Sequence, residues 1–202
     1  MKKLFQMLSL SLLLLTLTGC ASISLQHSAK DSTLPAKKYQ KLLIVGITDQ
    51  SQRRQIFEEV FAAELQKRGV IAIPSYTVTG VTGKLTWAAG EEAVKKTGAD
   101  GAITTRMIAL KKDTSVNTGF IMTDHGFADG YGVHVTYATF VHQPVEVILS
   151  TNMAIETNLF DAATGRLVWT GTSSAVDPEG IITFSRALAE VVFKTMAKDG
   201  LI

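Results

Sequence analysis

The chain has 202 residues, 46% of them apolar, with 20 basic and 18 acidic side chains and a formal charge of +2. That length supplies one domain with a sizeable core and is short for two, and so even a balance excludes the basic footprint of a nucleic-acid-binding protein. The single cysteine, Cys20, excludes a disulfide within the chain, so packing has to hold the fold.

Taken in order, Lys2 and Lys3 precede an apolar run from Leu8 to Leu17, interrupted only by Ser9, Ser11 and Thr16. This is the layout of a secretory signal, and it is too short for a spanning helix. The run closes on Leu17-Thr18-Gly19-Cys20, which resembles the lipobox of bacterial lipoproteins, where the thiol receives a diacylglycerol and the new amine a third acyl chain such as palmitate. The resemblance implies a signal peptide over 1–19 and lipid attachment at Cys20. Because Ala21 rather than aspartate follows the cysteine, it also implies anchoring in the outer membrane of a Gram-negative cell, with the domain facing the periplasm. Removing residues 1–19 leaves 183 residues with eighteen charges of each sign. Acylation would consume the only thiol.

Residues 20–40 read as the acylated cysteine and a flexible tether, ending in Lys37-Lys38, with a typical span of ~25 Å. Lys30, Lys37 and Lys38 are expected in solvent. The domain is expected over 41–202. Leu42-Leu43-Ile44-Val45-Gly46-Ile47 is a continuous apolar run of strand length, as in a strand covered on both faces. Asp49 and Ser51 offer N-caps for a helix carrying Ile56, Phe57, Val60, Phe61 and Leu65, with Glu64 inside the apolar arc. Val70 to Pro74 reads as a second strand, parallel to the first after a right-handed crossover. A second helix over 85–96 carries Glu91 with Lys95 and Glu92 with Lys96 at i,i+4 spacing, a solvated face. Ala102 to Leu110, containing Arg106, makes a third strand.

The stretch 111–144 is different in composition: glycine-rich, with three of the four histidines, and it reads as an insertion. Residues 145–160 alternate with Val147, Leu149, Met153, Ile155 and Leu159 on one face. Asp161 to Gly165 makes a turn, and Arg166 to Ser173 returns as the antiparallel partner. A last helix, opened by Asp177-Pro178, carries the stripe Ile181, Phe184, Leu188, Val191, Val192 and Met196. The expected fold is α/β: a mixed β-sheet in the order β-α-β-α-β, insertion, β-hairpin and α, flanked by helices in a single domain.

Leu42 to Ile47, Arg54, Phe57 and Glu58, Leu65 to Val70, Pro74-Ser75-Tyr76, Asp161 to Gly165 and Leu167-Val168-Trp169 together resemble a group of small envelope lipoproteins. Their domains are similar to the N-terminal domain of TolB, the periplasmic part of CsgG, and LpoB. That resemblance implies protein binding or assembly in cell-envelope biogenesis and supplies no catalytic residues.

The chain has no HExxH pair, no GxxxxGK[ST] loop and no GxSxG elbow. Asp124, His125, Asp129, His134 and His142 carry nitrogen and oxygen ligands of the kind zinc takes, at a spacing that matches no metal motif. No cofactor is expected. Phe120, Phe127, Tyr131, Tyr137 and Phe140 interleave with them as candidate partner-binding anchors, since aromatic side chains dominate interfaces. The expectation is a non-enzymatic module bound to the membrane through its lipid and to an envelope protein partner. A homo-oligomeric export component like CsgG is the first alternative, and a metal-dependent enzyme the second.

Overall fold

The computed structural model describes residues 22–80, 85–117, 120–128, 134–142 and 146–202, and among them the side chains of all but residue 22 and residues 115–149. Eight strands are present among them: β1 (Ser22–Lys30), β2 (Lys41–Ile47), β3 (Ile71–Pro74), β4 (Gly101–Asn117), β5 (Phe120–Ala128), β6 (His134–His142), β7 (Glu146–Asp161) and β8 (Leu167–Val176). The helices are α1 (Ser51–Gln66), α2 (Tyr76–Thr79), α3 (Trp87–Thr97) and α4 (Ile181–Lys198). Six strands form one mixed sheet in the order β1-β8-β7-β4-β2-β3, and β5 and β6 form a separate pair. The chain divides into a main unit, up to Leu110 and from Asn152 to Ile202, and a second unit, Lys111–Thr151. The expected α/β fold with a mixed sheet flanked by helices is the one observed.

In the main unit β2 lies between β3 and β4 and is parallel to both, which explains its unbroken apolar run. Leu42 and Ile44 point into one core with α1 and α4, while Leu43 and Val45 point into a second with Ala93 of α3. The alternation follows from the two-residue period of a strand. The larger core joins Phe57, Phe61 and Leu65 to Phe184, Leu188, Val192, Phe193 and Met196, and to Ile155, Leu159 and Trp169 on β7 and β8. Phe61 meets Phe193 edge-on at 5.1 Å. Glu64, which interrupts the apolar arc of α1, is neutralised by Lys67 at 2.6 Å and by Arg186 of α4 at 3.7 Å.

Three expectations need correction. Residues 22–30 are not a free tether: they form β1, antiparallel to β8 from Ser22 opposite Val176 to Lys30 opposite Trp169. Residues 31–40 are bound to the domain as well. The Tyr39 backbone N–H donates to Leu201 at 2.7 Å, and its ring is 2% exposed. Lys30 donates to the Asp199 carbonyl and Lys37 to Asp161. Polar composition suggested a linker because β1 is an edge strand, whose alternate residues face water. Second, the cap of α1 is Gln50, without a side-chain bond, and not Asp49 or Ser51. Third, α4 starts after Gly180, with Asp177 in the left-handed region at φ 45°, so Asp177-Pro178 precedes the helix.

Candidate functional site

Two constructions stand out in the main unit, and Asp161 belongs to both. At the β7–β8 turn one Asp161 oxygen accepts from the backbone N–H groups of Ala163 and Thr164 at 3.1 and 2.9 Å and from the Thr164 hydroxyl at 3.0 Å. Aspartate forms such turns because its short side chain mimics a backbone carbonyl. Gly165 takes the left-handed φ of 67° that closes the turn. The other Asp161 oxygen accepts from Lys37 Nζ at 2.6 Å and the Tyr39 hydroxyl at 3.1 Å. Burial raises the Asp161 pKa, but the Lys37 and Thr164 hydrogen bonds outweigh it, and the carboxyl is held down at about 2. Burial, together with the carboxylate it faces, pushes the Tyr39 hydroxyl upward. Lys37 also donates to the Asp100 carbonyl at 3.0 Å. The Asp100 carboxylate receives the backbone N–H groups of Gln40 and Lys41. The segment before β2 is thereby fastened at two carboxylates.

The second construction is a cleft of about 460 Å³ between α3 and the sheet. Leu43, Val45 and Ile47 of β2 and Ala102 of β4 form its floor; Leu85 and Val94 form one wall, and Phe160 and the 161–165 turn the other. The Trp87 ring stands edge-on to Phe160 with centroids 5.3 Å apart and is 58% exposed. Its indole N–H donates to Glu91 at 2.9 Å. Glu91 was expected to pair along the helix with Lys95; it holds the tryptophan at the cleft. Thr86 caps α3 by accepting the Ala89 N–H at 3.3 Å. Gly90 lies on the cleft side of α3.

Away from the cleft, Arg54 and Glu58 form a fully buried ion pair at 2.9 Å. Glu58 also accepts from Gly46 N–H, the Ser75 hydroxyl and Tyr76 N–H, and Arg54 donates to Ser75. This network joins the ends of β2 and β3 to α1. Every polar group named in it is satisfied within the protein, so it acts as an internal clip.

Of the residues singled out in the sequence, Cys20, Asp129 and Tyr131 lie outside the described residues. The others lie on the β5–β6 pair, where only backbone register is described. Phe120 stands opposite His142, Met122 opposite Phe140, Asp124 opposite Ala138, His125 opposite Tyr137, Phe127 opposite Val135, and Ala128 opposite His134. The ladder therefore sets Phe120 and Phe140 on a diagonal, and Phe127 and Tyr137 on another. His134 and His142 end the same strand, eight residues and about 26 Å apart, so they cannot serve one ion, whose nitrogen ligands sit at about 2 Å. Sequence reasoning missed Tyr39, Trp87, Gly90 and Phe160. The available signals were a glycine inside an otherwise good helix and a tryptophan at the start of a helix read as solvated.

No family model and no curated protein matches the chain. Among solved structures, the PelC dodecamer from Paraburkholderia phytofirmans is similar at 12% identity and TM-score 0.45, covering 85% of this chain and 95% of that one. Lipoprotein GNA1162 from Neisseria meningitidis is similar at 14% identity and TM-score 0.42, covering 79% and 99%. A PDZ domain protein from Parabacteroides distasonis is similar at 8% identity and TM-score 0.38, covering 88% of this chain and 35% of that one. Each is a similarity of structure alone.

Proposed function

We propose that this chain is a lipid-anchored, non-enzymatic binding or assembly module of the bacterial envelope, held through Cys20 at the periplasmic face of the outer membrane. The observation that carries the reading is the sequence Leu17-Thr18-Gly19-Cys20, followed after Ala21 by a strand of the main sheet. Two residues of extended chain reach about 7 Å. The anchor thus leaves the domain against the bilayer surface, not ~25 Å from it. A partner for such a module lies at the membrane surface or reaches out to it. The β5–β6 unit is the contact surface in this reading, because its ladder sets Phe120 diagonal to Phe140 and Phe127 diagonal to Tyr137.

Cys20→Ala is expected to shift the protein from the outer-membrane fraction to the soluble periplasm without unfolding it; retention with outer membranes refutes the anchor. Deleting 115–140 is expected to abolish capture of the envelope partner in a crosslinked pull-down while the main unit still melts cooperatively. An unchanged capture profile refutes the contact surface. A homo-oligomeric export component is the second reading. It is favoured by β5 and β6 being nine residues each, within the ~9–11 residues of a membrane-spanning strand. Native mass measurement of the detergent-solubilised lipoprotein separates the two: a large fixed stoichiometry supports the second, a monomer the first.

A further inference from the structure

We propose that the cleft between α3 and the 161–165 turn is a binding site for an uncharged, apolar small molecule, a hydrocarbon chain or fused ring in class. Its volume of about 460 Å³ is roughly three times that of an engineered apolar cavity of about 150 Å³ that takes benzene, and it falls in the range of small-molecule sites. The chemistry of the lining selects the ligand. Leu43, Val45, Ile47, Leu85, Val94 and Phe160 present only hydrocarbon. Three of the polar groups beside them are already engaged: Thr86 caps the helix, Glu91 holds the Trp87 indole, and Asp161 accepts from Lys37, Tyr39 and Thr164. A polar group set against this hydrocarbon floor would lose its water without a partner there, which is unfavourable. Glu91 and Lys95, both exposed, add opposite formal charges to the lining, so neither an anion nor a cation is preferred. The Thr104 hydroxyl on the sheet, and the Glu91 and Lys95 side chains on the helix, can meet a single hydroxyl or carbonyl on the ligand.

Gly90 is the independent sign that the space is kept open. Glycine within a helix weakens it relative to alanine. Here no close approach requires it: a Cβ at Gly90 would meet only Leu85 Cδ2, at 3.8 Å, an ordinary contact. Its φ is not in the left-handed region either. What the missing side chain does is leave room on the cleft side of α3. Trp87, edge-on to Phe160 and 58% exposed, adds a large apolar ring to the lining that a guest can cover.

The test uses the full acylated chain in phosphatidylcholine nanodiscs and a dodecanol carrying a terminal diazirine, with photo-adducts mapped by mass spectrometry. Saturable labelling concentrated on Trp87, Gly90, Glu91 and residues 160–165 is expected. Gly90→Leu, a substitution that helix propensity favours, should raise the half-labelling concentration at least tenfold, whereas Gly90→Ala should leave it within about threefold. Circular dichroism melts of both variants establish that the fold is kept. Unsaturable labelling spread over the surface, or undiminished labelling of a folded Gly90→Leu variant, overturns the site. Because the experiment reads labelling at the cleft and not membrane retention, its failure leaves the anchoring result at Cys20 untouched.

Discussion

Removing the Glu58 carboxylate gives the sharpest test of how the β2–α1–β3 core is held. In Glu58→Ala the Arg54 guanidinium, 1% exposed, keeps its charge and loses its carboxylate partner, and the backbone N–H groups of Gly46 and Tyr76 and the Ser75 hydroxyl lose their acceptor. Breaking a buried pair by deleting one partner costs about 3–5 kcal/mol, a large part of the ~5–15 kcal/mol that holds a typical domain. At roughly 2–4 °C per kcal/mol for a domain of this size, the melting temperature should fall by roughly 6–20 °C. The double variant Arg54→Met/Glu58→Leu replaces the pair with hydrocarbon and removes the uncompensated charge, so it should cost less than Glu58→Ala alone. Urea unfolding of both variants and of Arg54→Met, analysed as a double-mutant cycle, measures the coupling. A loss below about 1 kcal/mol for Glu58→Ala, or a double variant as costly as the two singles together, would refute the account of a desolvated, fully satisfied clip.

Three further outcomes follow from other parts of the fold. Asp161 has a folded-state pKa of about 2, below the ordinary 3.8, so its contribution is present above about pH 4 and is lost as the pH falls toward 2. That loss is on the order of 2 kcal/mol, and Asp161→Asn should remove this part of the acid dependence in stability measured between pH 5 and pH 2. Gly171→Ala should destabilise by roughly 1–3 kcal/mol in chemical denaturation, because a Cβ there would stand 2.3 Å from the Trp169 ring, which is itself fully buried. Deleting residues 22–30 should cost on the order of 3 kcal/mol and promote association, since it strips Ile23 and Leu25 from the core edge and bares β8. A tether could be removed with no change in the melting temperature.

The parallel β-α-β-α-β order, the central place of β2 and the β7–β8 hairpin were legible because each rests on a local period. Leu42 to Ile47 is apolar on both faces and β7 alternates, while α4 carries its stripe at Phe184, Leu188, Val192 and Met196. The tether over 22–30 was misread for a physical reason. An edge strand with one wet face has the polar content of a linker, and only its partner β8 reveals the strand. The Arg54–Glu58 pair sat in plain view at i,i+4 spacing, but spacing alone does not distinguish a solvated pair from one that is buried. The cleft was less legible still. Trp87, Gly90 and Phe160 come from separate segments, and nothing local marks them as neighbours.

The sequence by itself carried the class of fold and a lipobox-like motif on which the proposed anchoring rests, since both depend on composition and on patterns a few residues long. Tertiary structure decided what lies against what. It turned residues 22–30 into an edge strand and buried Tyr39, Arg54 and Glu58. It set Trp87 against Phe160 across an apolar cleft, and it placed His134 and His142 at opposite ends of one strand. The pairing of β1 with β8, of Tyr39 with Asp161 and of Trp87 with Phe160 is long-range, fixed by which faces must be removed from water together, and no short window along the chain contains both members.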